Sequence, residues 1–194
     1  MLERVIFIRH GQTDWNKEQR LQGQTDCLLN DTGRAEAREA AERVAALFSP
    51  AIIYTSDLSR ARETAEIISS RLQLEIISRP GLKEISFGTM EGRPLALLQT
   101  EFSAYWQAWL NNRQEEKFTP PGGEKITDFR SRLVTEFMAI VKEDRGLEVL
   151  VVAHGGVLKQ LLGWILQLPW DQAIPVRVPN TCALITERHQ DTWR

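Results

Sequence analysis

Short apolar runs alternate along this chain with longer segments in which apolar residues recur every three or four positions. The short runs are rich in β-branched residues, which predicts buried strands. They cover residues 5–8, 51–55, 74–78, 148–153 and 181–187. The longer segments predict amphipathic helices over residues 31–48, 61–72, 94–110, 126–143 and 157–168. Asp31 or Thr32 is the expected N-cap of the first of these helices.

The order of these elements determines the fold that we expect. Strands that alternate with helices are joined by right-handed crossovers into a mainly parallel sheet with helices on both faces. The segment from about residue 84 to residue 123 breaks this rhythm and ends at Pro120-Pro121-Gly122-Gly123. We therefore predict a single domain over residues 1–194, an α/β protein built as a three-layer α/β/α sandwich with a mainly parallel central sheet and an inserted helical lid.

Composition narrows the class of protein rather than the fold. The chain carries 24 Lys and Arg against 26 Asp and Glu, a net charge of −2, so no global field attracts nucleic acid or an anionic membrane. No apolar run reaches the roughly 20 residues that span a bilayer, and no signal-peptide core precedes the first strand. Cys27 and Cys182 lie far apart and are expected to be reduced thiols. These features predict a cytoplasmic protein.

Arginine and histidine side chains follow the predicted strands where each strand ends. Arg9-His10-Gly11 comes directly after the first strand, Arg60 follows the second, and His154-Gly155-Gly156 follows the fourth. Ligands of open α/β sheets bind at the carboxyl ends of parallel strands, so two arginines and two histidines are expected to converge there. Arginine presents a fork of donors suited to phosphate, and imidazole can act as nucleophile, acid or base. An isolated Arg-His pair is more often a surface ion-pair partner beside a loop histidine, but three such strand ends together favour an anion site.

These stretches, taken in order, resemble the histidine phosphatase superfamily in its phosphoglycerate mutase-like branch. The first strand with Arg9-His10-Gly11 and Asn16 is similar to the family signature, and residues 28–33 are similar to its Leu-x-x-x-Gly motif. Residues 56–65, 82–92 and 151–156 match three further motifs. The resemblance covers nearly the whole chain, and in size and motifs it is closest to α-ribazole phosphatases and broad-specificity phosphatases.

The resemblance implies a role for each polar group. His10 would attack phosphorus to give a phosphohistidine, with its other ring nitrogen bonded to a backbone carbonyl. Glu84 would protonate the leaving alcohol and then activate water, which requires a raised pKa of its carboxyl group. The remaining groups, which would surround the phosphoryl oxygens or touch the substrate, are Arg9, Arg60, His154, Asn16, Gln22, Gly23 and the Gly155 N–H. No metal and no cofactor are implied, because two arginines and two histidines already stabilise the charge.

Several of these assignments have alternatives. Glu91 and Asp14 are alternative proton donors to Glu84. Gln22 stands where mutase relatives carry a small hydroxyl residue, which leaves its contact open. Three further residues are expected outside the site, as a helix-surface ion-pair partner, a surface residue and a packing residue: Arg62, His189 and Trp15.

The reaction itself is the least constrained inference. Cofactor-dependent phosphoglycerate mutases carry a longer insert and Glu-Arg-His-Tyr-Gly where this chain has Glu84-Ile85-Ser86-Phe87-Gly88. We therefore expect a phosphomonoester hydrolase that acts on small phosphorylated metabolites. One candidate substrate is α-ribazole 5′-phosphate, since Tyr105-Trp106 and Trp109 resemble the lid of α-ribazole phosphatases. These aromatic residues could stack on its base, or equally they could pack the lid itself.

Other readings of the chain stay open. The alternatives are a cofactor-dependent phosphoglycerate mutase and, from another class, a catalytically silent phospho-ligand-binding protein. The sequence also leaves a homodimer open. Family members often add an edge strand beyond the position of Arg194, so a shortened chain is a further alternative.

Overall fold

The strands predicted from the sequence form one sheet, and alternate residues of each strand face opposite sides of it. The structure is a computed structural model that describes residues 2–110, 119–143, 145–169, 176–190 and 192–193. Its strands are β1 (Arg4–Arg9), β2 (Ile53–Thr55), β3 (Ile76–Ser78), β4 (Glu148–Ala153), β5 (Ala183–His189) and β6 (Thr192–Trp193), paired in the order β3-β2-β4-β1-β5-β6. The first four in this order are parallel to one another, whereas β5 and β6 are antiparallel at one edge. The prediction of a mainly parallel sheet is confirmed.

Helices cover both faces of this sheet. They are α1 (Asp14–Lys17), α2 (Asp31–Leu47), α3 (Ser59–Leu72), α4 (Leu95–Glu101), α5 (Ser103–Leu110), α6 (Ile126–Glu143) and α7 (Gly155–Ile165). Ile6 and Ile8 of β1 are buried with residues of α2 and α3, while Val5 and Phe7 are buried with residues of α6 and α7. The alternation of β1 thus supplies two apolar layers, and the three-layer α/β/α sandwich is confirmed.

Some elements begin or end at other residues than the periodicity predicts. The N-cap of α2 is Asn30 rather than Asp31 or Thr32, because the Asn30 side chain accepts a hydrogen bond from the Gly33 N–H at 2.9 Å. The last long strand begins at Ala183 instead of residue 181, since Thr181 has a φ of 51° that belongs to a turn. β3 likewise begins at Ile76, two residues later than predicted.

The helix predicted over residues 94–110 is two helices. At Phe102 the backbone leaves helical geometry (φ −129°, ψ 34°), so α4 ends and α5 begins directly afterwards. Leu98 and Trp106 from these helices are buried in the core on the α6 and α7 side. The side chains of Tyr105 and Trp109 and residues 111–118 lie outside the described residues, so the structure does not test the aromatic lid there. Among the described helices, none combines the length and apolar character that a membrane crossing requires.

Candidate active site

β1 and β4 deliver two histidines side by side. The strands are parallel neighbours with Arg9 opposite Ala153, and the His10 N–H donates to the Ala153 carbonyl at 2.9 Å. His10 and His154 follow the two strands, and their ring centroids lie 5.2 Å apart. Both side chains are buried. The convergence predicted from the strand ends is therefore present.

The contacts of His10 define its tautomer. Nδ1 lies 2.7 Å from the Gly11 carbonyl oxygen, which can only accept, so Nδ1 carries the proton. Nε2 accepts from Arg60 Nε at 3.3 Å and therefore holds the lone pair. Burial, followed by the charges of Arg60 and Arg9, holds the pKa of His10 well below its ordinary value. A neutral imidazole with a lone pair on Nε2 has the form that a nucleophile requires, and the predicted contact to a backbone carbonyl is present.

Arg60 occupies the first turn of α3 and is fully buried. Its two terminal nitrogens donate to backbone carbonyls of one loop, Nη1 to Thr25 at 3.0 Å and Nη2 to Gly23 at 2.7 Å. Gly23, predicted to touch the substrate, thus contacts Arg60 through its carbonyl. The loop holds the guanidinium in position beside His10.

A carboxylate in turn holds this loop. Glu91 accepts hydrogen bonds from the backbone N–H groups of Gln24 at 3.1 Å, Thr25 at 2.7 Å and Phe87 at 2.8 Å. Burial acts to raise the pKa of Glu91, but the hydrogen bonds from Thr25, Gln24 and Phe87 leave it below its ordinary value. A carboxylate ionised and engaged in this way is poorly suited to donate a proton, and Glu91 is absent from the lining of the cavity described below.

The second alternative proton donor also lies away from the site. Asp14 is exposed in the first turn of α1, and its side chain accepts from Asn30 Nδ2 at 3.2 Å. Of the three carboxyl groups considered from the sequence, the structure brings only Glu84 to the two histidines and two arginines.

Glu84 lies between two 3₁₀ turns, Pro80–Leu82 and Gly88–Met90, and its carboxylate faces the first turn of α7. It accepts from the Gly156 N–H at 2.8 Å and from the Ile85 N–H at 3.0 Å. Burial raises the pKa of the Glu84 carboxyl, and these N–H groups and the nearby Arg60 and Arg9 charges only partly oppose that shift. The raised pKa is the property that a general acid needs.

Three buried polar atoms around the site have no partner among the described residues: Arg9 Nε, His154 Nδ1 and Gln22 Oε1. The other atoms of the first two groups are engaged, Arg9 Nη1 with the Val178 carbonyl at 2.6 Å and His154 Nε2 with Ser56 Oγ at 2.9 Å. Burial, then the charges of Arg60, His10 and Arg9, lower the pKa of His154 well below its ordinary value. Buried polar atoms seldom stay unpaired, so this cluster fits a polar ligand beside His10.

A cavity of about 380 Å³ opens next to His10. Arg9, Arg60 and Gly155 contribute to its polar lining, as expected from the strand ends, and so does Glu84, to which the family resemblance pointed. Further lining comes from the loop after α1, from the insert, from α7 and from the segment before β5: Arg20, Leu21, Gln22, Phe87, Leu95, Trp106, Lys159, Gln160, Arg177 and Val178. The cavity is therefore lined by a cluster of polar groups near His10 and, further away, by aromatic, aliphatic and cationic side chains.

Two other predicted binding groups also line this cavity. Asn16 Oδ1 accepts from the Thr13 N–H at 3.1 Å, which caps α1, so the Asn16 amide NH₂ is the group available to a ligand. Gly155 is the first residue of α7, where a backbone N–H has no partner within the helix. Both groups are suited to donate to an anion.

Sequence reasoning missed other residues of the site. Asn180 Nδ2 donates to the His10 carbonyl at 2.9 Å and lies 3.3 Å from Asn16 Oδ1, while Lys159 and Arg177 line the cavity. Lys159 had a usable signal, because it lies four residues after Gly155 on the same side of a helix that begins at a strand end. Nothing in the local pattern marked Asn180 or Arg177, whose segment joins the site only through tertiary packing.

The residues predicted to lie outside the site do so. Arg62 pairs with Glu66 at 3.6 Å on α3, and His189 is exposed in β5. Trp15 lies under Arg20, with the guanidinium carbon 6.0 Å from the ring centroid. Cys27 and Cys182 are free thiols. In the part of the chain that the structure describes, no three His, Cys, Asp or Glu side chains form a group that could hold a metal ion.

Fold and site together define an α/β protein in which two histidines, two arginines and a carboxyl group meet beside the ends of parallel strands, an arrangement suited to an anion. The sequence model of the histidine phosphatase superfamily (branch 1) matches residues 5–194, and the chain belongs to this superfamily.

Individual relatives are similar over nearly the whole chain. The probable phosphoglycerate mutase GpmB of Cronobacter sakazakii is 33% identical over 189 residues, 97% of this chain and 86% of that protein. Among solved structures, YhfR of Bacillus stearothermophilus superposes with a TM-score of 0.88 at 31% identity, covering 98% of this chain and 94% of the other. The α-ribazole phosphatase of Shigella flexneri gives a TM-score of 0.85 at 27% identity, with coverages of 98% and 93%.

Proposed function

We propose that this protein hydrolyses phosphomonoesters of small metabolites through a phosphohistidine at His10. The observation that carries the proposal is the neutral His10 imidazole, whose Nε2 lone pair faces Arg60 while Nδ1 is held by the Gly11 carbonyl. Arg60 and Arg9 bring positive charge to the place where a phosphoryl group would meet Nε2, and such charge stabilises the transition state of phosphoryl transfer. His154 Nδ1, buried without a partner among the described residues, is suited to donate to one of the phosphoryl oxygens when it carries the proton of the neutral ring.

The two half-reactions use Glu84 twice. In the first, His10 Nε2 forms a bond to phosphorus, the P–O ester bond breaks, and the Glu84 carboxyl gives its proton to the leaving alcohol. In the second, the Glu84 carboxylate takes a proton from water, the water oxygen bonds to phosphorus and the P–N bond breaks. Inorganic phosphate leaves, and His10 and Glu84 return to their starting states. Both half-reactions draw on the protein's own cations and need no metal and no cofactor.

The experiment is hydrolysis of p-nitrophenyl phosphate in the presence of a chelator, by the wild-type protein and by His10→Ala. We expect metal-independent turnover by the wild type and a loss of at least about a thousandfold in the variant, since a nucleophile is removed. Radiolabelled ester should leave an acid-labile, base-stable label on the wild type and none on His10→Ala. Full activity of His10→Ala would contradict the role of His10 as nucleophile. Tight phosphate binding by the wild type without turnover would support a silent phospho-ligand-binding protein instead.

A second candidate function is that of a phosphoglycerate mutase. It is favoured by the similarity to GpmB of Cronobacter sakazakii, which is described as a probable phosphoglycerate mutase. Incubation with 3-phosphoglycerate and 2,3-bisphosphoglycerate separates the two reactions. Exchange of phosphate between the glycerate positions without release indicates a mutase, whereas release indicates a hydrolase. The similarity to an α-ribazole phosphatase supports α-ribazole 5′-phosphate as one candidate substrate, and faster release from it than from sugar phosphates and nucleotides would select it.

A further inference from the structure

The cavity beside His10 carries more positive charge than one phosphoryl group needs. Among the described residues that line it, Glu84 is the one carboxylate, against the cations Arg9, Arg20, Arg60, Lys159 and Arg177. Arg9 and Arg60 are committed to the phosphoryl group in the proposed reaction. Arg20 is already paired with Glu18 at 3.0 Å. Two cations, Lys159 and Arg177, remain.

Lys159 is held at the cavity by its place on α7. It is partly buried, and it pairs with no acidic side chain among the described residues. Burial lowers the pKa of the Lys159 ammonium, the charge of Arg9 lowers it further, and Glu84 opposes the shift. Because Lys159 is partly buried and forms no ion pair among the described residues, an anion arriving beside it gains a strong interaction.

Arg177 lines the same cavity from the segment that precedes β5. Its segment is fixed to the site, because the next residue, Val178, accepts the hydrogen bond from Arg9 Nη1, and the Thr181 N–H donates to the Arg9 carbonyl at 3.0 Å. The Arg177 side chain is exposed, which puts it at the mouth of the cavity, and it too lacks an acidic partner among the described residues. Phe87 and Trp106, both buried, supply an apolar stretch of wall.

We propose that Lys159 and Arg177 form a second anion site, which selects phosphomonoesters whose alcohol part carries a carboxylate or another anionic group. This inference rests on the proposed function, since it places the first phosphoryl group at His10. The apolar wall of Phe87 and Trp106 suits the carbon skeleton that joins the two anionic groups. The site distinguishes such esters from phosphates of neutral alcohols by charge pairing, and it therefore argues against α-ribazole 5′-phosphate as the preferred substrate.

Unreactive ligands test this site without turnover. We would measure the Kd of ω-phosphonocarboxylates with one, two and three methylene groups by calorimetry, and compare each with the alkylphosphonate in which a methyl group replaces the carboxylate. For at least one chain length, the carboxylate should tighten binding by about tenfold or more, the usual size of a charge-assisted hydrogen bond. Lys159→Met and Arg177→Met should each remove most of that preference.

Matched controls separate the site from general charge effects. Lys142→Met and Arg38→Met remove exposed cations of α6 and α2 that do not line the cavity, and they should keep the preference of the wild type. Equal binding of carboxylate and methyl ligands at every length overturns the second anion site. So does an equal loss for both ligands in Lys159→Met, since that would assign Lys159 to the phosphoryl group.

The outcomes also distinguish the two proposals. A protein that hydrolyses p-nitrophenyl phosphate but shows no carboxylate preference lacks the second anion site and keeps the proposed function. A protein that neither hydrolyses the ester nor binds any phosphonate contradicts both.

Discussion

In the proposed reaction, Glu84 has two opposite tasks, and its surroundings suit both. Burial raises the pKa of its carboxyl group, which favours the protonated acid, while the N–H groups of Gly156 and Ile85 are ready to hold the carboxylate. Both forms are therefore accommodated without a change of position. A group that must give up a proton in one step and take one in the next benefits from this balance.

Replacing Glu84 by Gln should separate the two half-reactions. An alkyl phosphate needs a proton for its leaving group, so its hydrolysis should fall by about 10²- to 10⁴-fold. p-Nitrophenolate leaves without a proton, so Glu84→Gln should release one equivalent rapidly and then turn over slowly as the phosphohistidine accumulates. Rapid-mixing measurement of p-nitrophenolate release tests this. Equal losses for both esters and no burst would contradict the role of Glu84.

The pH dependence of alkyl phosphate hydrolysis should also report the acid role of Glu84. The acid form of Glu84 is lost as pH rises through its pKa, which lies above the ordinary carboxyl value. Hydrolysis of an alkyl phosphate by the wild type should therefore fall on the alkaline side of that pKa, and Glu84→Gln should lack this fall.

The residues differed in how far the sequence could predict them. Arg9, His10 and His154 adjoin the two strongest apolar runs, so strand physics alone brings them together. Glu84 lies in irregular backbone, and only the family resemblance pointed to it. Asn180 reaches His10 from a segment 170 positions away in the chain, and no local pattern encodes such a contact.

At the scale of elements, the amino end of α7 controls the site by close packing. A Cβ placed on Gly156 would lie 2.2 Å from Glu84 Oε1, whereas the nearest side-chain atom to one on Gly155 would be Arg9 Nε at 3.6 Å. Gly156 thus lets the helix donate its N–H to Glu84 at short range. Its small size, rather than a special backbone angle, is what the site uses.

Substituting Gly156 by Ala should therefore impair activity while the fold persists. Displacing a catalytic carboxyl by about an ångström costs on the order of a hundredfold in kcat/KM, but alanine is the better helix former by up to about 1 kcal/mol. Kinetics with an alkyl phosphate and urea denaturation measure the two effects. Gly155→Ala, in ordinary contact with Arg9, is the matched comparison and should lose much less activity. Similar losses in the two variants would contradict steric control of Glu84.

Element existence was easier to predict than element ends. Periodicity continues through Phe102, so the pattern does not reveal the break between α4 and α5. In the same way, Asn30 was overlooked as the cap of α2 because Asp31 and Thr32 are equally good capping types. Which of several suitable side chains accepts the bond depends on the backbone that leads into the helix.

At the scale of the whole molecule, the core on the α6 and α7 side ties together distant parts of the chain. Phe137 of α6 stacks on Phe7 of β1 with ring centroids 6.0 Å apart, and it meets Trp164 at 5.8 Å and Trp193 at 5.6 Å edge to face. Four elements thus meet at one buried ring. Composition alone gives no hint of this arrangement, just as a net charge of −2 gives no hint of a cationic cavity.

Phe137→Ala should lower the free energy of unfolding by about 3–5 kcal/mol, because it removes a fully buried ring from contact with three others. Met138→Ala, at the next and exposed position of the same helix, should change it by no more than about 0.5 kcal/mol. Urea denaturation of both variants measures the difference. A loss below about 1 kcal/mol in Phe137→Ala would show that this ring cluster contributes little to stability.

The pairing of β1 with β4 has a consequence for the time at which the anion site forms. The two strands meet across 144 positions of sequence, and the segment that carries Val178 and Asn180 follows later still. Contacts so distant in the chain form late, after the entropy of a long loop has been overcome. On the ribosome, β1 emerges 144 positions ahead of the β4 residues with which it pairs. The proposed anion site therefore cannot form until translation has passed the segment that carries Val178 and Asn180.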